Sequence, residues 1–444
     1  MITGYTNKPG ITDWLRIVCY VLFFVSIVLL NGTVAAQTQD KVFDVRQYGA
    51  KGDGQTLDTE AIQKAIDECG RAGGGIVKFL PGMYLSKPIT LRSKTTIQLV
   101  TGVKLQATEN HADFMKTPGD WLKATGGGDF IPFISGKDLT DVMITGEGII
   151  DGGGKAWWGP AEEARRKKSG YTLPRPNMII LTRCKNVKIN GITIQNSPKF
   201  HLVPTDCEDV VIESVTFRAP ADAPNTDAID PSVSRRVLIS RCTIDVGDDN
   251  VAIKSGKKMD GREYACEDIT INDCAILHGH GISIGSETVG GVRGLTVQKC
   301  MFVNTDNGIR IKSYRGRGGL VENVTYSDIV MQNVTVPISI SGYYPKIPKE
   351  NEAQPLTPET PVYRNIRITN LRATSPRSAG FIVGLPESLI SDVVLDGIHI
   401  LAPVGLTIRN AKDVKITNVK IETQEGGPFI LENAVVEGLD KTEK

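Results

Sequence analysis

From about residue 94 onward the chain repeats one phrase: a small or polar residue, an aliphatic, further alternating aliphatics, then a turn. It stands at Asn186-Val187-Lys188-Ile189, Asp209-Val210-Val211-Ile212, Arg236-Val237-Leu238-Ile239, Asp268-Ile269-Thr270-Ile271, Asn323-Val324-Thr325-Tyr326, Asn365-Ile366-Arg367-Ile368 and Asp413-Val414-Lys415-Ile416. Counted from the first aliphatic, positions 187, 210, 237, 269, 295 and 324 lie 23, 27, 32, 26 and 29 residues apart. Short β-branched strands joined by turns, with no helical period between them, stack into a parallel β-helix whose aliphatics line up inside. Unequal steps then mean loops of unequal length. Alternating strand and helix units are disfavoured because the helices are missing, and a leucine-rich repeat because leucine marks no fixed position. The fold class expected is all-β, with 37–444 as one continuous domain.

Two segments break the phrase early in the chain. After a short strand at Val42 to Val45, Gly49-Ala50-Lys51-Gly52-Asp53-Gly54 reads as a turn cluster. A helix is expected from about Asp58 to Cys69, with Ala61, Ile62, Ala65, Ile66 and Cys69 on one face. Within an N-terminal cap of about 40–92, it would cover the open end of the strand stack. Before it, Lys8 and Arg16 precede an apolar run from Ile17 to Leu30 and the small residues Val34-Ala35-Ala36. Residues 1–36 thus read as a signal peptide, because a run of 14 residues is too short for a spanning helix. A secreted or periplasmic protein starting near Gln37 is expected, with no lasting membrane association. A third segment, Lys155 to Met178, carries Trp157, Trp158, Arg165, Arg166, Lys167 and Lys168. It reads either as a loop walling a groove or as a solvated basic loop with its tryptophans packed on the scaffold.

Composition removes some function classes. With 51 basic and 50 acidic residues there is no field that would draw nucleic acid. Eight cysteines fall to seven after cleavage, and no pair has zinc-site spacing. Several recur at similar places in the repeats, so a buried stack of free thiols is expected rather than a disulfide framework. No metal or cofactor is expected, and a monomer is.

Four consecutive repeats carry polar groups that a strand stack would not need: Asn225-Thr226-Asp227, Asp248-Asp249, His280 between two glycines, and Arg310-Ile311-Lys312. Asp227 to Asp248 is 21 residues, Asp249 to His280 is 31, and His280 to Arg310 is 30, each near one coil. Equivalent places in successive coils form a column along one edge, since neighbouring strands lie about 4.8 Å apart. A set of carboxylates suits glycoside hydrolysis, where one acid protonates the leaving oxygen and another carboxylate serves water or attacks the sugar. A proton shared among crowded carboxylates would supply the acid. Arg310 and Lys312, two apart and so on one face, would grip the carboxylate of a uronic acid sugar. His111, His201, His278 and His399 lack such company and are expected to be structural or exposed.

Together these motifs resemble the polygalacturonase family, glycoside hydrolase family 28, over roughly residues 40–425. Asn225-Thr226-Asp227, Gly247-Asp248-Asp249, Gly279-His280-Gly281 and Arg310-Ile311-Lys312 stand in the family's order, and Asn196-Ser197-Pro198 also matches. The resemblance implies a right-handed parallel β-helix and inverting hydrolysis of galacturonosyl linkages in polygalacturonan or pectin. It implies Asp248 as general acid, Asp227 and Asp249 as the pair that positions and deprotonates water, and His280 as the keeper of the acid's protonation state. Arg310 and Lys312, with Asn225 and Tyr344, would bind substrate. The likeness to bacterial members with groove-closing loops favours exo action. The alternatives are a rhamnogalacturonan or xylogalacturonan hydrolase and a calcium-dependent pectate lyase.

Overall fold

In the computed structural model, the residues described are 41–439 except 118, 120, 124–126, 168–172, 257–263 and 351. The expected signal peptide and the site of its cleavage lie outside them. The repeating phrase forms one face of a parallel β-helix. Val187, Val210, Val237, Ile269, Leu295, Val324, Ile366 and Val393 lie in one unbroken register across eight successive strands. The second aliphatic of each phrase makes a parallel stack from Ile189 through Ile271 and Tyr326 to Leu395. All of these side chains are buried. Each fully buried aliphatic contributes about 1.5–3 kcal/mol, so the stack supplies much of the driving force.

The polar residue that opens each phrase has a backbone reason. Asn186, Asp209, Arg236, Asp268, Asn323, Asn365 and Asp413 all have φ between 50° and 58°. Each is the corner at which the coil turns into its next strand, and short amide or carboxylate side chains tolerate that left-handed conformation best. The corners also bond to one another along the solenoid: Asn186 donates to Asp141 at 2.9 Å and Asn365 to Asn323 at 2.6 Å. A β-branched residue at such a corner would cost about 1–2 kcal/mol in backbone alone.

At the amino-terminal end, α1 (Thr59–Arg71) buries Ile62, Ala65, Ile66 and Cys69, the expected face. It packs against Val42–Asp44 and Gly75–Phe79. Asp58 ties the glycine-rich turn to it by accepting from Lys51 N at 2.6 Å and Gly52 N at 2.9 Å. All seven cysteines among the described residues are free and buried. No helix among those residues is long and apolar enough to cross a membrane.

One expectation is corrected. The segment read as a loop from Lys155 opens with a helix, α2 (Lys155–Lys167). Pro160 obscured its period, since proline cannot donate to the carbonyl of Ala156. That carbonyl lies 3.2 Å from His111 Nε2, so the ring supplies the missing donor and the helix continues. Trp157 is fully buried against His111, Trp121, Phe114 and Phe130. This aromatic cluster fixes α2 on the scaffold.

Candidate active site

The face that carries the polar motifs is built from β1 (Val251–Ser255), β2 (Ile282–Thr288), β3 (Asn307–Lys312) and β4 (Val336–Ser341), paired in parallel. Bridges from Val251 to Ile229 and from Ile229 to Leu202 extend it backwards. Asp227, Asp249 and His280 each stand two residues ahead of Ile229, Val251 and Ile282, and so form a column. Asp248 occupies the bend beside Asp249. Arg310 and Lys312 depart from the simple column, pairing in register with Ser283 and Gly285 rather than with His280. Their length compensates: from two coils away, Arg310 Nη1 reaches Asp249 Oδ1 at 3.0 Å and Lys312 Nζ reaches Asp249 Oδ2 at 2.6 Å. The glycines around His280 are required by close approach. A Cβ on Gly279 would run into the carbonyl oxygen of Asp248, and one on Gly281 into that of Asn307. This lets His280 N donate to Asp248 O at 2.9 Å.

The charges divide into an upper and a lower layer. Above, His280 Nδ1 lies 3.1 Å from Asp248 Oδ1, and its Nε2 lies 3.2 Å from Asp306 Oδ2. Burial alone would raise the Asp248 carboxyl, but the hydrogen bond and charge of His280 outweigh it and hold Asp248 at about 2. Burial likewise lowers the imidazole, and Asp248 more than reverses this, so His280 ends above its ordinary value. The pair therefore favours a carboxylate beside an imidazolium, with the proton on the ring. Below, burial raises Asp227 well above the carboxylate range, with Asp230 adding to the effect. Asp230 is pushed up to about 6, chiefly by burial. A shared proton is thus favoured in the lower layer rather than on Asp248, because His280 offsets the charge of Asp248 while Asp227 and Asp230 have one lysine between them.

Asp248, Asp249 and His280 bring ligand-type atoms within 4.8 Å of one another, a spacing that would suit a cation. The cations that stand there are the protein's own. Both oxygens of Asp249 are engaged, by Arg310 and Lys312 and by Ser283 Oγ at 2.7 Å.

Of the expected substrate-binding residues, Tyr344 joins the cations, its ring centroid 5.4 Å from Lys312 Nζ and 5.9 Å from Arg310 Cζ. Asn225 instead faces the acid, with Nδ2 3.4 Å from Asp248 Oδ2. Arg175 explains why. It is 1% exposed and donates from Nη2 to Asn225 Oδ1 at 2.8 Å. A guanidinium has only donors, so it fixes the amide with its NH₂ towards Asp248. Arg175, Asp306, Ser283, Asp230 and Lys254 carried no sequence signal beyond their residue type. His201, expected to be structural, is fully buried and places Asp227: Nδ1 donates to Asp227 O at 3.0 Å while Nε2 accepts from Ser197 N at 3.3 Å. This gives the Asn196-Ser197-Pro198 motif a positioning role.

Two clefts flank the carboxylates. One of about 460 Å³ is lined by Ala161, Glu162 and Arg165 of α2 with Arg175, Asn225 and Asp248. The other, of about 440 Å³, is lined by Arg310, Lys312, Tyr344, Arg377 and Phe381. Both carry cations, Arg165 and Arg175 in the first and Arg310, Lys312 and Arg377 in the second.

Comparison with known proteins agrees with this geometry. Residues 80–425 match the model of glycosyl hydrolases family 28, and residues 42–100 match that of rhamnogalacturonase A/epimerase, pectate lyase-like. The chain is 34% identical over 379 residues to an endo-polygalacturonase of Pectobacterium carotovorum subsp. carotovorum, covering 82% of this chain and 85% of that protein. Among solved structures, the exopolygalacturonase of Thermotoga maritima superposes with a TM-score of 0.69 at 27% identity, covering 89% of this chain and 92% of that one. The polygalacturonase of Erwinia carotovora ssp. carotovora gives 0.68 at 29% identity, covering 92% and 100%.

Proposed function

The chain belongs to glycosyl hydrolases family 28, and from that membership we propose that it hydrolyses galacturonosyl linkages of polygalacturonan and pectin by an inverting acid–base mechanism. The observation that carries the substrate is the cationic pair Arg310 and Lys312 beside the acids, with Tyr344 against it. A uronate carboxylate would dock on the donors that Asp249 leaves free, since guanidinium has five N–H groups and ammonium three. Asp248 is the general acid. Its proton comes from His280: as the sugar excludes water, the ion pair becomes less favourable than neutral imidazole with neutral carboxylic acid. The acid then protonates the leaving oxygen while the glycosidic bond breaks. Asp227 and Asp249 hold water on the opposite face of the sugar, and Asp227 takes its proton.

A calcium-dependent lyase would need carboxylates free for the metal, and Asp249 has both oxygens committed. A hydrolase acting at rhamnose would not need the cationic pair. For the mode of attack, α2 along one cleft supports exo action, with the chain entering from its end. The polymeric substrate and the leader-like residues 1–36 support work outside the cytoplasm, with a single copy sufficient for the groove.

Incubation with polygalacturonate tests this reading. Reducing ends are expected to accumulate without an ultraviolet-absorbing unsaturated sugar and at the same rate in a chelator. Monomer should appear from the first time point. An unsaturated product or loss of activity to chelator would mean a lyase, and a descending ladder of oligomers would mean internal cleavage.

A further inference from the structure

Beneath the acids lies a charged layer that the steps above do not use. Lys254 Nζ donates to Asp230 Oδ2 at 2.5 Å and lies 3.4 Å from Asp227 Oδ2. Asp227 is 3% exposed and Asp230 1%. The ammonium sits 4.3 Å from the ring centroid of Phe200, whose ring also faces Lys199 at 4.4 Å. The Oδ1 atoms of Asp227 and Asp230 are both buried without a hydrogen-bond partner among the described residues. Two carboxylates on one ammonium leave an excess negative charge away from water, and a proton on one of them removes it. The other charges felt by this layer are Asp248 and Asp249 from the bend above, Lys199, Arg175, and Glu287 of β2.

We propose that Asp230 and Lys254 are positioning residues for hydrolysis. Lys254 holds Asp227 by Oδ2, which leaves Oδ1 as the oxygen that meets water, and Asp230 shares the same ammonium, so that its charge sets how readily Asp227 ionises to accept the proton. This rests on the reading of Asp227 as the residue that deprotonates water. In the step itself, the water oxygen bonds to the anomeric carbon, its proton passes to Asp227 Oδ1, and the leaving oxygen departs with the proton from Asp248. Atoms and charge balance without a further reactant.

The two residues make opposite predictions. Asp230→Asn imitates the protonated partner permanently, so Asp227 ionises more readily and the acidic limb of kcat/KM should move down by about one pH unit. Lys254→Met removes the cation that stabilises ionised Asp227, and the same limb should move up by about one unit or more. Lys254→Arg should restore the parent limb. Limbs that stay in place while activity falls, or that move the same way in both variants, would overturn the proposal and leave a structural role. Melting curves identify a variant that fails to fold, in which case the Asp230→Asn and Lys254→Arg profiles decide. Asp227→Asn separates the premise: substantial activity in that variant would refute the reading of Asp227 itself, whatever the limbs do.

Discussion

Asp248→Asn is expected to lower kcat on polygalacturonate by about 10³–10⁴-fold, the upper range for loss of a general acid. An amide still fits the bend and still accepts the hydrogen bond from Asp249 N that Asp248 receives at 2.8 Å. What it cannot do is take the proton from His280 and pass it to the leaving oxygen. The scaffold does not depend on that proton. Its corners and aliphatic stacks lie elsewhere in each coil, so melting within a few degrees of the parent is expected, and KM should change little. Steady-state kinetics with a melting curve checks this, and near-parental turnover in a folded variant would remove Asp248 from the role.

Lys312→Met is expected to lower kcat/KM on polygalacturonate by about 10²–10³-fold. Lys312 is 9% exposed and its ammonium meets Asp249 Oδ2 at 2.6 Å. Breaking a buried ion pair from one side costs about 3–5 kcal/mol because the remaining charge is left uncompensated. Asp249 then keeps only Arg310 and Ser283 as partners and is less firmly placed to hold the attacking water. The same ammonium serves the uronate carboxylate, so the loss should be smaller on highly methyl-esterified pectin, where that charge is absent. A matched loss on both substrates would confine Lys312 to supporting Asp249.

The legible part of this protein was the part that repeats. Asn186, Asp209, Asn323 and Asn365 announce their corners because left-handed backbone selects their residue type. The aliphatics behind them announce the stack. Asp227, Asp249 and His280 could be grouped because chemistry-bearing residues at one-coil steps must share an edge. Arg310 and Lys312 share that edge less simply, since only side-chain length lets them reach two coils back to Asp249. Residues that act through register or across a corner stayed hidden. Lys254 follows Asp249 in sequence but lies under Asp227, and Asp230 reads as a turn residue until its neighbour on the next coil is known. Arg175 belongs to no repeat. The helix at Lys155–Lys167 was missed because Gly159 and Pro160 interrupt its pattern, while the donor that rescues Pro160 comes from His111, far away in sequence.

The pairing of Asp248 as acid with Asp227 and Asp249 serving water on the opposite face has a stereochemical signature. Proton NMR of the first sugar released from an α-linked galacturonan oligomer, recorded before the anomers equilibrate, reads it directly. The new reducing end is expected to appear first as the β anomer, with the α form growing in only as mutarotation proceeds. Initial release of the α anomer would mean attack by a carboxylate on the sugar and would contradict the assignment of these three aspartates.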